Sequence, residues 1–146
     1  MKKKVMGLDL GTSSCGIAVS DVLGIAHGRE NYLFPEGAYR RALSHLDELL
    51  KKEGIEEIAL GYPLNMDGSA GESAHRSERF KEELLEMNPN LKVILVDERL
   101  TTVMASKTMR LGNFNARKQK KVIDQQSAVL ILESYLSQKE REECLK

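Results

Sequence analysis

The chain has few cysteines, no long apolar run and no net charge, and each scarcity excludes a class of protein. Its two cysteines, Cys15 and Cys144, lie far apart and form no CxxC pair, so we expect reduced thiols and neither a disulfide framework nor a zinc site. No apolar run approaches the roughly 20 residues of a membrane-spanning helix, and Asp9 interrupts the first apolar stretch before a secretory core could form. We therefore expect a cytoplasmic protein with no membrane partner.

Length and composition indicate a single globular domain. Hydrophobic residues make up 41% of the 146 residues and charged residues 30%, a balance typical of folded chains and not of disordered ones. A chain of this size buries about 70% of the surface that it exposes when unfolded, which is enough for one core. We predict one domain over residues 1–138 and a charged, frayed tail over residues 139–146.

The charges balance overall but are unevenly distributed along the chain. The 22 basic residues match the 22 acidic residues, so binding to nucleic acid would have to come from a local patch. Residues 99–123 contain basic side chains and no acidic one. Such a cluster is commonly a solvated face, but the absence of acids favours contacts with phosphates. The basic residues that we predict to bind nucleic acid are Arg117, Lys118, Lys120 and Lys121.

The spacing of apolar residues predicts an α/β fold. Short apolar runs bounded by glycine, proline or polar residues predict five strands, at residues 5–10, 15–20, 29–34, 55–61 and 91–96. Helical spacing predicts four helices, at residues 39–50, 74–87, 101–111 and 123–136. The resulting order, βββαβαβαα, predicts a mixed five-stranded sheet flanked by helices.

Three acidic residues stand where apolar residues are expected. Asp9 interrupts the first strand, Glu98 directly follows the last strand, and Asp124 begins the apolar stripe of the last helix. Each has an ordinary explanation alone: a turn residue or ion-pair partner, a partner of Arg99 or a nearby lysine, or an acid favoured by a helix N-terminus. If the three converge, their mutual repulsion must be neutralised, and Mg²⁺ or Mn²⁺ would do so through oxygen ligands. Two such ions about 4 Å apart can activate water for phosphodiester hydrolysis, so we predict a catalytic, metal-binding triad.

Two loops rich in small residues follow predicted strand ends. The first consists of Gly11, Thr12, Ser13 and Ser14. It either offers N–H and hydroxyl donors to a phosphate or forms a tight hairpin, and both can hold at once. The second, residues 61–71 with Asn65, is either a substrate loop or a simple βα connection, and its length favours the former.

Four motifs, in order over nearly the whole chain, resemble those of the YqgF/RuvX family. They lie at residues 7–12 with 16–21, 61–68, 97–102, and 124 with 127–128 and 131–136. The resemblance implies an RNase H-like fold and a metal-dependent nuclease whose catalytic acids are Asp9, Glu98 and Asp124. We assign Arg99 and Thr101 of the third motif, with Asn65 of the second, to substrate binding.

The resemblance also implies the substrate. The family is described as Holliday junction resolvases and as nucleases that mature the 5′ end of pre-16S ribosomal RNA. We expect structured pre-rRNA as the substrate, with branched DNA as the alternative, and a monomer or a homodimer, since a resolvase needs two copies to cut symmetrically. One departure concerns Ser14, where the family usually has a basic residue, commonly preceded by another; Ser13 and Ser14 remove a phosphate contact.

Two other functional classes remain open from the residues alone. The segment at residues 9–12 also resembles the first phosphate loop of actin-like ATPases, although those proteins enclose the nucleotide between two lobes and this chain supplies one. A non-catalytic nucleic-acid-binding domain is favoured by the serines at positions 13 and 14. The presence of all three acids argues against it.

Overall fold

The structure is a computed structural model, which describes the backbone of residues 2–100 and 116–145 and the side chains of residues 2–99 and 126–145. This part of the chain contains five strands and three helices. In order they are β1 (Met6–Leu10), β2 (Ser14–Ser20), β3 (Ala26–Leu33), α1 (Tyr39–Glu53), β4 (Glu57–Tyr62), α2 (Glu72–Met87), β5 (Lys92–Asp97), a 3₁₀ turn (Glu98–Leu100) and α3 (Ala116–Cys144). The helix predicted over residues 101–111 lies outside the described residues.

The strands form one mixed sheet in the order β3-β2-β1-β4-β5. The first three strands make an antiparallel meander, and β4 and β5 then add parallel to β1. The carboxyl ends of β1, β4 and β5 therefore meet at one edge of the sheet, where α/β proteins commonly bind ligands. The predicted α/β class, the five strands and the mixed sheet are confirmed.

Side chains point alternately to the two faces of the sheet, and each face has its own apolar core. Leu8 and Leu60 face α1 and α2, where they pack with Phe80 among others. The opposite face of the sheet, which includes Ala18 and Ala59, packs against α3. Each face is buried by helices, which accounts for the nearly continuous apolar runs of the central strands.

Helix α3 lies unusually close to β1. A Cβ atom placed on Gly7 would lie 2.7 Å from Leu132 Cβ and 2.8 Å from the carbonyl oxygen of Ala128. Any larger residue at this position would push the helix off the sheet. Gly7 therefore fixes the depth at which α3 packs beneath the strand that carries Asp9.

Several element boundaries differ from prediction, and the start of β3 is one of the larger differences. Strand β3 begins at Ala26 and not at residue 29, because the Asp21 carboxylate accepts the backbone N–H groups of Leu23 and Ile25 at 2.9 and 3.0 Å and closes the turn early. The exposed, polar start of this edge strand carries no apolar signal.

Helix α3 is longer than the predicted 123–136 at both ends. It begins at Ala116 in a segment rich in lysine, arginine and glutamine, which are good helix formers. It ends at Cys144, within the segment predicted to be a frayed tail, where Lys139 Nζ donates to both Glu57 oxygens at 3.1 and 3.2 Å. No helix of the described residues has the length and apolar character needed to cross a membrane.

Candidate active site

Asp9 is a buried acid on the α3 face of the sheet. Its neighbours in β1, Leu8 and Leu10, point into the opposite core, so alternation turns the Asp9 side chain towards α3. The residue is 6% exposed and lies opposite Gly16 in the antiparallel register of β1 and β2. The prediction that Asp9 interrupts a buried strand is confirmed.

Glu98 is the second buried acid, and it contacts the end of β4. It follows β5 directly, begins the 3₁₀ turn and is only 1% exposed. A Cβ atom placed on Gly61 would lie 3.4 Å from the Glu98 carboxyl carbon and from Oε2, and 2.6 Å from Ile131 Cδ1. The carboxylate therefore lies at contact distance from position 61, and Ile131 Cδ1 occupies the space that a side chain there would need.

The sheet register brings these two acids to the same place. Strands β1 and β4 pair in parallel with Leu8 opposite Leu60, and continuing this register one residue sets Asp9 beside Gly61, one strand spacing of about 4.8 Å away. The Glu98 carboxylate contacts Gly61 from the α3 side, where Ile131 also lies. Asp9 and Glu98 therefore flank one glycine, on one face, at the edge where the parallel strands end.

Gly61 is the functional position that the sequence reasoning missed. That reasoning placed it at the end of the predicted strand 55–61 and at the start of the loop 61–71 without a role of its own; the structure places it inside β4, paired with Val96 of β5. A glycine at the end of an apolar strand, before the first residue of a loop, is the signal that could have identified it, since such glycines often mark a close approach.

Asp124 lies within α3, and its side chain is outside the described part of the chain. The helix backbone at residue 124 is one turn, about 5.4 Å, before Ala128, and Ala128 packs over Gly7. Helix α3 runs opposite to β4, and so to the parallel strand β1, because Tyr135, later in α3, contacts Glu57 at the start of β4. Going back from Ala128 to residue 124 therefore leads towards the end of β1, where Asp9 follows Gly7 by two residues. This trajectory favours an approach of Asp124 to Asp9, which stays a prediction.

The described residues supply two of the three predicted metal ligands. Among residues 2–99 and 126–145, no group of three histidine, cysteine or acidic side chains is arranged to hold an ion. Two neighbouring buried carboxylates nevertheless fit Mg²⁺ or Mn²⁺, which take oxygen ligands and need only one or two carboxylates from protein. The predicted triad stays a prediction, and so do the phosphate contacts that fall outside the described side chains: Thr101, Arg117, Lys118, Lys120 and Lys121.

Residues 11–14 form the predicted tight hairpin. The Gly11 N–H donates to the Ser14 carbonyl oxygen at 2.7 Å, and Ser14 is buried at the start of β2. The carbonyl groups of Thr12 and Ser13 accept hydrogen bonds from Gly37 and Phe34 at 2.9 and 3.0 Å. The hairpin is thus fixed directly after the strand that carries Asp9, and its role in phosphate binding stays a prediction.

Arg99 contacts Asp97 and the loop that follows β4. Its Nη2 donates to Asp97 Oδ2 at 2.9 Å, and its Nε lies 3.2 Å from both oxygens of that carboxylate. The guanidinium holds the pKa of Asp97 below its usual value. Nη1 reaches the Met66 carbonyl oxygen at 3.4 Å and lies close to Gly68, whose φ of +91° suits glycine. Arg99 therefore forms an ion pair with Asp97, the residue that directly precedes Glu98.

The second loop is held together by its own side chains. Asn65 Nδ2 donates to Ser69 Oγ at 3.0 Å, and Ser69 Oγ donates to Asp67 Oδ1 at 2.6 Å. The hydrogen bonds from Ser69 lower the pKa of Asp67 below its usual value. The Asn65 amide is thus engaged within the loop, and its contact with substrate stays a prediction.

Comparisons with known proteins agree with the fold and the motifs. The RuvX family model, described as "Holliday junction resolvase", matches residues 3–138. A Bacillus subtilis protein is 42% identical over 134 residues, covering 91% of this chain and 96% of that protein. A Geobacillus relative is also 42% identical, over 138 residues that cover 94% and 99% of the two chains. Both carry the name "Putative pre-16S rRNA nuclease".

Solved structures extend the comparison to the fold. Thermus thermophilus RuvC in complex with a Holliday junction substrate superposes with a TM-score of 0.55 at 12% identity, covering 94% of this chain and 96% of that one. A second T. thermophilus RuvC structure gives a TM-score of 0.54 at 10% identity, covering 92% and 95%. At this identity the likeness concerns the fold alone, and the predicted RNase H-like architecture is confirmed. With the family model spanning nearly the whole sequence, the chain belongs to the RuvX family.

Proposed function

We propose that this protein is a metal-dependent endonuclease that hydrolyses phosphodiester bonds of structured RNA in the cytoplasm. The proposal is supported by the burial of both Asp9 and Glu98, by the contact of Glu98 with Gly61, and by the parallel register of β1 and β4, which ends one residue before Asp9 and Gly61. Neighbouring carboxylates repel each other in a buried site, and a divalent cation relieves that repulsion.

Asp9, Glu98 and Asp124 would hold Mg²⁺ or Mn²⁺, which when bound would activate a water molecule and stabilise the leaving oxygen. The chain's own residues hold these carboxylates in position and exclude bulk water from them. Glu98 is fixed by its burial between β4 and α3, and Asp9 by the central strand of the sheet. A rigid strand holds a ligand more accurately than a loop does.

The substrate path would follow the surrounding backbone and basic groups. The hairpin at Gly11, Thr12, Ser13 and Ser14 directly follows β1 and offers backbone and hydroxyl groups to a phosphate. The start of α3 carries the predicted phosphate-binding residues Arg117, Lys118, Lys120 and Lys121. We assign the 5′-end maturation of pre-16S ribosomal RNA to this site, and the names of the relatives at 42% identity support that assignment.

Cleavage of a Holliday junction is the second candidate. The description of the family model supports it, and one of the RuvC structures with the same fold carries such a junction. Metal ions and phosphates are common to both reactions. Symmetric resolution of a junction would require a homodimer, whereas cleavage of a single RNA strand would not.

A cleavage assay on both substrates tests the proposal. A pre-16S RNA fragment and a four-way DNA junction are incubated with wild type, Asp9→Asn and Asp47→Asn in Mg²⁺, in Mn²⁺ and in EDTA. Asp47→Asn is the matched control, because Asp47 pairs with Lys51 on the surface of α1. We expect RNA cleavage by wild type and the control, and none by Asp9→Asn or in EDTA.

Three outcomes contradict parts of the proposal. Equal RNA cleavage by wild type and Asp9→Asn would remove Asp9 from the site. Metal-dependent cleavage of the junction alone would establish the second candidate. RNA binding without cleavage of either substrate would favour the non-catalytic binding domain.

A further inference from the structure

We propose that a cleft on the α1 face of the sheet binds a single nucleic-acid strand next to the active site. The proposal rests on the proposed function, since it extends the path of the substrate beyond the acids. The cleft has a volume of about 330 Å³. Its lining residues are Tyr32, Arg40, Arg41, Ser44, His45 and Glu48.

An aromatic pair forms one wall of the cleft. The rings of Tyr32 and His45 are stacked, with centroids 4.1 Å apart and planes only 9° from parallel. His45 Nε2 is bonded to the Glu30 carboxylate, which fixes the imidazole. Both side chains are half-buried, so part of the pair is open to solvent. Proteins that bind single strands stack bases on such aromatic platforms.

Two arginines stand beside this platform. Arg40 and Arg41 are exposed in the first turn of α1, which contains no acidic residue. Within residues 2–99 and 126–145, neither guanidinium forms a hydrogen bond or an ion pair. Their charges repel each other and the positive end of the helix, which a bound phosphate would relieve. Glu48 is the acid of the lining, and Glu30 is engaged by His45.

The cleft adjoins the hairpin that follows Asp9. Tyr32 lies opposite Cys15 in the register of β2 and β3. The segment that enters α1 is bonded to the hairpin, through Gly37 N–H to the Thr12 carbonyl oxygen at 2.9 Å. Because Asp9 faces α3 and Tyr32 faces α1, a strand would pass from the acids over residues 11–14 into the cleft. Arg40 and Arg41 would then supply the phosphate contacts that Ser13 and Ser14 do not.

The chemistry of this cleft, phosphate and base stacking, is shared by RNA and DNA, so the test has an arm for each. Fluorescein-labelled 12-nucleotide RNA and DNA of one sequence are titrated with protein in EDTA, and fluorescence anisotropy gives Kd over a range of salt. Arg40→Ala/Arg41→Ala is compared with Lys51→Ala/Lys52→Ala, which removes the same charge from the other end of α1. EDTA separates binding from cleavage, so failure of the nuclease proposal and failure of the cleft give different results.

We expect the arginine variant to weaken RNA binding roughly tenfold or more at about 0.1 M salt, with a slope of log K against log salt smaller by about 1.4. The lysine variant should bind within about twofold of wild type, because surface charges far from the strand are screened. Tyr32→Leu, which keeps the bulk of the side chain, should weaken binding about fivefold with an unchanged salt slope. A DNA arm that follows the RNA arm would support the same cleft for either strand.

Three results would overturn the proposal. The first is a Kd of the arginine variant that equals wild type. The second is an equal loss in both double variants, which would mean unspecific attraction. The third is no binding of either oligonucleotide by the wild-type protein. Thermal melting of each variant, with a midpoint within a few degrees of wild type, ensures that a loss of binding reflects the cleft.

Discussion

Helix α3 packs against acidic residues at two ends of the sheet, and the two ends are built differently. At the start of β4, Glu57 accepts hydrogen bonds from the Tyr135 hydroxyl and from Lys139 Nζ. At the other end, Glu98 contacts Gly61, and Asp9 follows the last parallel pair of β1 and β4, Leu8 with Leu60, by one residue. Glu57 is paired with a cation of the chain itself, whereas Asp9 and Glu98 are the acids that we propose hold a divalent cation.

The ionisation of the Glu57 cluster follows from its contacts. Burial raises the pKa of Glu57, but the hydrogen bonds from Tyr135 and Lys139 outweigh it and hold the pKa below the usual 4.5. Burial and the Glu57 carboxylate both raise the pKa of Tyr135, so the phenol stays protonated as a donor. The Glu57 carboxylate at this end of α3 is therefore neutralised and hydrogen-bonded by residues of the chain itself.

The largest expected effect separates the two ends by activity. Glu98→Gln should lower the rate of RNA cleavage on the order of 10³-fold, because several kcal/mol of transition-state stabilisation depend on the cation site. Glu57→Gln should keep the rate within a few-fold of wild type while lowering the melting temperature. Single-turnover kinetics and thermal melting of both variants measure the difference. An equal loss of rate in the two variants would break the comparison.

The second prediction concerns the space beside Glu98. Gly61→Ala should destabilise the protein by about 1–3 kcal/mol, because the new Cβ would lie 2.6 Å from Ile131 Cδ1. Ile131→Val removes that methyl group, and the double variant should recover most of the loss. Urea unfolding of the two single variants and the double variant gives the coupling energy.

Activity sharpens this second test. The distance of 3.4 Å from the new Cβ to the Glu98 carboxyl group is an ordinary contact, so the double variant should also regain cleavage. Additive losses in stability, with no recovery in the double variant, would show that Ile131 is not the obstacle.

The smallest expected effect is a dependence of stability on pH at the Glu57 end. Since the pKa of Glu57 is lowered in the folded protein, its contribution is present above pH 4.5 and is lost as the pH falls through the lowered value. Glu57→Gln should therefore unfold more easily than wild type at pH 7 by about 1 kcal/mol. The difference should shrink below pH 4. Urea unfolding at pH 7 and pH 3.5 checks this, and a constant difference would contradict the ionic role of Glu57.

Much of the fold could be predicted because its signals are local. The apolar runs of the central strands and the interruption by Asp9 are visible in the sequence, and so is the position of Glu98 after a strand. The polar start of β3 was missed because an exposed edge strand needs no apolar pattern. The last eight residues of α3, 137–144, were missed because their anchor, Glu57, lies 82 residues before Lys139.

The acidic residues of the candidate site could be predicted from the sequence, whereas the close contacts around them could not. A carboxylate within an apolar run is recognisable from the local sequence alone. The role of Gly61 depends on contacts with Glu98 and Ile131 that are remote in sequence. The pairing of Tyr32 with His45 likewise depends on how β3 and α1 pack, so only the fold discloses the cleft beside Arg40.

The most direct test of the two-acid site is a measurement of Mn²⁺ binding by isothermal titration calorimetry, in the absence of nucleic acid. Wild type and Glu57→Gln should bind the ion with the same affinity, because the Glu57 end already has its cation. The double variant Asp9→Asn/Glu98→Gln should show no binding above the heat of dilution. Equal binding by all three proteins would contradict the assignment of Asp9 and Glu98 as the cation site.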